Sequence, residues 1–351
     1  MAKGNWFGIS GELSPNMELL QLILGKWVNQ AIYAAAELGI ADHLKDGPRP
    51  SADVATDCNA DDDATYRLMR ALSNIGVLDE REERTFALTP VGEFLRSDVP
   101  GSLRGMARFM GYDPTWTAWG QAVYSVRSGK PAFEHVFKEN IFDWYAKHLD
   151  ESAVFDEAMT AISTVESNAV ADAFDFSGIG TLADVGGGRG YLLATILERY
   201  PRLRGILFDQ PHVVEDARET LDAAGVVDRC ELVGGSFFDA VPAGGDVYIL
   251  RNIIHDWEDD QAVAILTSCR RAMAAGARLL LVERYLATDP HEAFPVMQSD
   301  LEMLVIVGGL ERTTDEYATL LGRSGLRLIQ AISLGNVPEA MEHQVIEAQP
   351  I

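Results

Sequence analysis

Cysteine is scarce. Cys58, Cys230 and Cys269 are the three in 351 residues, they stand far apart, and no C-x-x-C pair occurs. This spacing offers neither a disulfide framework nor a zinc module, and the expected compartment is a reducing cytoplasm. Basic charge is also in short supply, with 29 Lys and Arg against 53 Asp and Glu and a net charge of −24. Phosphate backbones and anionic bilayers would be repelled, so neither a nucleic-acid nor a membrane partner is expected. No apolar run reaches the ~18 residues of a membrane span. The amino terminus, MAKGNWFGISGELSPN, lacks the basic patch and apolar stretch of a secretory leader. No His/Asp cluster has metal-ligand spacing, so no metal is expected.

What is present suits a globular chain of two domains. Residues 17–40, MELLQLILGKWVNQAIYAAAELGI, are apolar on too many faces for a surface helix and require cover. A second copy of the chain, giving a homodimer, is the expected cover. Residues 51–98 read as two short helices, the first capped by Ser51 and the second introduced by Asp61 to Asp63, followed by a β-hairpin. That is the outline of a winged helix. Charge argues against DNA, because 51–98 holds 5 basic residues and 11 acidic ones, and three aspartates precede the would-be recognition helix. A dimerisation role fits better. Residues 105–160 are helical in pattern and rich in aromatics, for most of which core packing is the expectation.

From residue 181 the periodicity changes. Apolar runs at 181–185, 204–208, 229–233, 246–250, 278–283, 326–332 and 343–348 alternate with helix-length segments. Seven strands and their crossovers imply a mainly parallel, Rossmann-like α/β sheet covered on both faces. The boundary is expected near 165–180, giving a helical domain over 1–170 and a ligand-binding domain over 171–351.

The first strand runs into Asp184-Val185-Gly186-Gly187-Gly188-Arg189-Gly190. Glycines here allow a tight turn and close approach of backbone to a ligand at the carboxyl end of the sheet. Asp209, 21 residues after Gly188, ends the second strand and is placed to accept hydrogen bonds from ribose hydroxyls. A nicotinamide dinucleotide and S-adenosylmethionine both suit such a unit. The G-x-G-x-G spacing departs from the dinucleotide fingerprint, and Asp184 would oppose a pyrophosphate but favour a sulfonium and an ammonium.

The fourth strand leads into His255-Asp256-Trp257, which places His255 on the same rim. A neutral imidazole there can take a proton from a hydroxyl. Glu283, ending the next strand, and Glu311, following Gly308-Gly309, can both reach that rim, and a carboxylate on the ring would fix its tautomer. Asp256 is suited either to a second substrate hydroxyl or to capping the helix after it.

Together DVGGGRG, GGSFFDAVPAGGDVYIL, RNIIHDW, LVERYL and GGLERTTDEY, behind a helical and winged-helix half, resemble the S-adenosylmethionine-dependent small-molecule O-methyltransferases. These include plant caffeate and chalcone enzymes and bacterial relatives in antibiotic pathways, and the likeness spans about residues 15–348. The resemblance implies a class I methyltransferase fold behind a dimerisation domain, a phenolic acceptor from secondary metabolism, and His255 as general base flanked by Glu283 and Glu311. It implies donor contacts at Gly186, Gly188 and Asp209, adenine packing on Phe237, and Arg251 near the adenine. FDEAM followed by Ser163 resembles a family stretch that puts Met159 near the reacting centre and Ser163 near the methionyl carboxylate. Ser236 stands where the family has an aspartate for the adenine amino group. Phe109, Met110, Trp116, Met303 and Leu304 are the implied substrate walls. An NAD(P)-dependent oxidoreductase, a winged-helix regulator, and a carbon, nitrogen or non-methylating relative of the same fold remain the alternatives.

Overall fold

The computed structural model describes residues 13–286, 294–334 and 343–351, apart from the side chains of 160–165, 294 and 295. The chain forms two compact units. One holds the described residues up to Trp116 with His148–Ala161; the other holds Thr117–Lys147 and Ile162–Ile351.

The first unit opens with a helix over Pro15–Glu37, with proline in its first turn, where a missing N–H costs nothing. Gly39, at φ 65°, ends it by turning the chain left-handed into the short helix Ile40–His43. Its inner side packs on the helix Arg104–Gly111. Leu19, Leu22, Ile23 and Trp27 form an exposed stripe along the outside, Leu22 keeping 72% and Trp27 64% of its surface. The apolar excess is thus confined to one face. Helices Ser51–Asp57 and Asp62–Asn74 lie in the chain between β1 (Arg49–Pro50) and the pair β2 (Leu78–Glu80) and β3 (Thr85–Leu88), and the three strands form a small antiparallel sheet in the order β1-β3-β2. Asp61 accepts from the Ala64 N–H at 2.9 Å and caps the second helix. Ser51 does not cap: Pro50, paired with Thr85 in the sheet, leads straight into the helix, and Ser51 is its buried first residue.

The second unit holds β4 (Thr181–Val185), β5 (Arg204–Asp209), β6 (Cys230–Gly234), β7 (Val247–Arg251), β8 (Arg278–Arg284), β9 (Leu326–Ser333) and β10 (His343–Pro350), in the order β6-β5-β4-β7-β8-β10-β9. The pairs from β6 to β8 are parallel, while β10 is antiparallel to both its neighbours. Strand residues alternate between two cores: Leu182, Ile249, Leu280 and Val282 face one, Ala183, Leu250, Leu279 and Leu281 the other. Strand order reverses at β4, whose pairing with β7 sets Asp184 beside Ile249. The loops after β4 and β7 therefore leave the sheet side by side, at the crevice where open α/β sheets bind ligands.

The units do not divide at residue 170. Helix Leu149–Ala173 continues through the expected boundary, because Ala169 and Val170 are buried in the core of the sheet. Residues 117–147 join the second unit because helices Ala122–Ser128 and Ala132–Phe137 pack on helix Phe294–Ile306. Phe133, Phe137 and Trp144 cluster at 4.6 to 6.1 Å, the packing role expected of most aromatics here.

Candidate active site

The loop after β4 is built by backbone. Gly186, Gly188 and Gly190 adopt φ of 74°, 55° and 79°, a region that side chains resist. A Cβ on Gly186 would lie 2.5 Å from Ile253 Cδ1 and 3.9 Å from the Phe237 ring, so this glycine keeps open a slot between two apolar walls. Asp209 stands at the lip, its Oδ2 accepting the Gly188 N–H at 2.8 Å and its Oδ1 the Gln210 N–H at 2.6 Å. Asp184 lies under the loop, shut off from solvent, with Oδ2 lacking a hydrogen-bond partner. Burial pushes its carboxyl up to about 7, against the pull of Arg251. A flat apolar slot, a carboxylate lip and an acidic floor suit a purine nucleoside bearing a cation, and they oppose a pyrophosphate.

The loop after β7 is built by side chains from three other parts of the unit. Asn252 turns it at φ 53°, and a short helical turn over Ile254–Asp256 carries His255. Glu283 accepts from the backbone N–H of Ile253 at 3.2 Å and of Ile254 at 2.7 Å. The buried guanidinium of Arg312 donates to the carbonyls of Ile254 at 3.1 Å and Trp257 at 2.8 Å, and to Asp259 Oδ1 at 2.9 Å. Gly309 passes so close that a Cβ would sit 1.9 Å from the His255 carbonyl oxygen, and the Leu310 N–H donates to that oxygen at 2.9 Å. This approach delivers Glu311, whose Oε1 lies 3.1 Å from His255 Nδ1 and also accepts from Ser299 Oγ at 2.6 Å. Asp300 Oδ1 accepts the Glu311 N–H at 2.9 Å.

Burial alone would raise the Glu311 carboxyl, but His255, Ser299 and Arg284 outweigh it and hold the group down at about 2. An ionised acceptor fixes the proton on Nδ1 and leaves Nε2 as the nitrogen that exchanges one. Burial pushes the His255 conjugate acid down, whereas Glu311, Asp256 and Glu283 together raise it to about 10. Asp256 Oδ1 lies 3.4 Å from Nε2, and burial lifts its carboxyl to about 6. The helix Asp259–Ala272 starts two residues after Trp257, with no side-chain cap, so Asp256 does not take the capping role.

Glu283 was expected on the imidazole with Glu311. It instead holds the loop's backbone, and burial raises it to about 7. Arg251, expected near an adenine, donates to the fully buried Glu166 at 2.9 Å, the counter-ion that such a carboxylate requires. Ser236 accepts from the Phe238 N–H at 3.2 Å within a local turn, and Phe237 meets Trp257 edge-on at 5.9 Å. The side chain of Ser163 lies outside the described residues. Met303 and Leu304 are half-buried on helix Phe294–Ile306. Phe109, Met110, Trp116 and Met159 belong to the first unit, where Phe109 packs on Tyr112 and Phe155 at 5.7 and 5.6 Å. Sequence reasoning missed Glu166, Ser299 and Arg312. Only Arg312 carried a signal, as the cation directly after Glu311.

Fold and loops together define a class I methyltransferase. A family model of the O-methyltransferase domain matches residues 119–327, and one of the O-methyltransferase dimerisation domain matches residues 20–98. The chain belongs to this O-methyltransferase family and carries its dimerisation domain, which makes a second copy of the chain its partner. It is 44% identical to phenazine O-methyltransferase PhzM of Lysobacter antibioticus, over 95% of this chain and 96% of that one. It is 32% identical to a phenazine-1-carboxylate N-methyltransferase of Pseudomonas aeruginosa, over 93% and 96%. The solved structure of the O-methyltransferase NcsB1 from neocarzinostatin biosynthesis, in complex with S-adenosylmethionine and 2-hydroxy-5-methyl naphthoic acid, superposes with a TM-score of 0.80 at 29% identity, covering 92% and 96%. The protein is an S-adenosylmethionine-dependent methyltransferase. No helix among the described residues is long and apolar enough to cross a membrane.

Proposed function

We propose that the protein methylates a hydroxyl of an aromatic, phenolic small molecule of secondary metabolism, with His255 as general base. The observation that carries this reading is the His255 to Glu311 contact at 3.1 Å, which leaves Nε2 to exchange the proton. Bound S-adenosylmethionine supplies an electrophilic methyl group on a sulfonium. Gly186 and Gly188 hold the donor by backbone, Asp209 takes its ribose hydroxyls, and Phe237 with Ile253 closes on its adenine. Ser163, Ser236 and Arg251 are assigned to the same donor, as the family resemblance implies.

A phenol ionises near ~10, so at neutral pH it is a poor nucleophile until a base takes its proton. His255 Nε2 removes that proton, and Glu311 balances the imidazolium that results. A positioned base is typically worth ~10²–10⁴ in rate; because Glu311, Asp256 and Glu283 raise the proton affinity of the ring against its burial, the neutral form that accepts the proton grows as pH rises. Asp256 orients a second polar group on the acceptor, while Met303 and Leu304 wall its ring. The names of the relatives support an aromatic acceptor, and the dispersed cysteines fit a cytoplasmic enzyme.

Nitrogen methylation is the second reading, favoured by the N-methyltransferase among the relatives. A neutral amine needs no base before it attacks, so a buried imidazole and carboxylate pair supports oxygen. The test offers the enzyme an aminophenol with carbon-13 methyl-labelled donor and locates the label by NMR. Label on oxygen supports the proposal, and label on nitrogen alone contradicts it.

A further inference from the structure

Glu302 is a buried acid that the mechanism leaves unused. It lies in helix Phe294–Ile306, three residues beyond Ser299 and thus about 4.5 Å along the axis on the same face. Ser299 is the residue that touches Glu311, so Glu302 sits one turn along the wall that ends at the imidazole. The Trp119 indole N–H donates to Glu302 Oε2 and fixes the carboxyl in place. The residue as a whole is half-buried, yet Oε1 is shielded from solvent and has no hydrogen-bond partner. Among the described residues no Lys, Arg or His forms an ion pair with it. A shielded acceptor of this kind is costly unless something completes it, and the neighbouring Met303 and Leu304 have no polar group to offer. Burial lifts the carboxyl to about 7, against the pull of Trp119, so near neutral pH its charge responds to what binds beside it.

We propose that Glu302 selects the acceptor: Oε1 takes a hydrogen bond from an amine or hydroxyl on the part of the ring system remote from the methylated oxygen, and its charge disfavours acceptors bearing a carboxylate there. This rests on the phenolic-acceptor reading above. The donor-bearing acceptor satisfies the orphaned oxygen, whereas a carboxylate would set two anions together away from water.

Calorimetry on the dimeric enzyme loaded with S-adenosylhomocysteine tests it with 1-naphthol, 5-amino-1-naphthol and 5-hydroxy-1-naphthoic acid. The wild type is expected to bind the aminonaphthol about tenfold to a hundredfold more tightly than 1-naphthol, and the acid most weakly. Glu302→Leu should level the three. Glu302→Gln, which keeps an acceptor for Trp119 and removes the charge, should lift the penalty on the acid while retaining the preference for the amine; it also serves if the leucine variant fails to fold. The same ranking in wild type and Glu302→Gln, or tightest binding of the acid by the wild type, overturns the proposal. Methyl transfer to 1-naphthol, followed in parallel, separates the two readings. Transfer without discrimination defeats the role of Glu302, whereas discrimination without any transfer to oxygen defeats the phenolic reading and leaves the role of Glu302 standing.

Discussion

Residues 186–190, after β4, offer backbone: three glycines at φ between 55° and 79°, with open space where a Gly188 side chain would go. Residues 252–257, after β7, offer an ionisable ring, and almost every atom that holds it comes from elsewhere. Glu283 and Arg312 clamp the loop's amides and carbonyls, and Glu311 clamps the ring itself. The two loops lie side by side yet have different vulnerabilities. In the proposed mechanism donor binding depends on local backbone geometry, and proton handling depends on a buried charged frame assembled from residues 283–312. Each should fail without the other.

The largest expected separation comes from Gly309→Val. A side chain starting 1.9 Å from the His255 carbonyl must displace the loop, and a shift of about 1 Å in catalytic geometry can cost about a hundredfold in rate. Single-turnover methyl transfer should fall by that much, with affinity for S-adenosylhomocysteine within a few-fold of wild type by calorimetry. Gly186→Ala is the converse. A left-handed φ costs about 1–2 kcal/mol for a residue with a Cβ, and the methyl would also meet Ile253 at 2.5 Å. Affinity for S-adenosylhomocysteine should drop about tenfold or more, while the rate at saturating donor changes less.

A smaller effect distinguishes charge from shape. His255 accepts a proton only when neutral, and its conjugate acid is raised to about 10, so kcat/KM should climb as pH rises toward that value. Glu311→Gln removes the charge that does most to raise it, so the climb should move to lower pH while the maximum falls. Unmoved limbs in that variant would show that Glu311 does not set the proton affinity of the ring. The smallest effect is expected from Ser299→Ala, which removes one of two hydrogen bonds to Glu311 Oε1. At about 1 kcal/mol for one such bond, a decrease in kcat of less than about tenfold is expected.

The same contrast explains what the sequence revealed. All seven strands of the large sheet were legible as short apolar runs between helical periods, the edge strands β6 and β9 included although they are largely unburied. The glycine loop was legible because its geometry is dictated by neighbours in sequence. His255 and Glu311 were legible as residues, and their pairing followed from both standing at strand ends or after a Gly-Gly turn. The use of Glu283 was not, since a carboxylate at a strand end can face a ring or a backbone, and only the course of residues 252–254 decides between them. The ion pair of Arg251 was not legible, because its partner Glu166 lies 85 residues earlier in the chain. The division near residue 170 failed for a related reason: helix Leu149–Ala173 serves two units, and apolar periodicity does not register a change of neighbour.

The most direct measurement compares wild type with His255→Ala at saturating donor and a fixed phenol, following labelled methyl in the product from about pH 6 to about pH 10. The account predicts that the variant binds S-adenosylmethionine normally yet loses about 10²–10⁴ in rate across this range. Equal rates for variant and wild type at neutral pH would contradict it, showing that positioning alone delivers the oxygen to the methyl group.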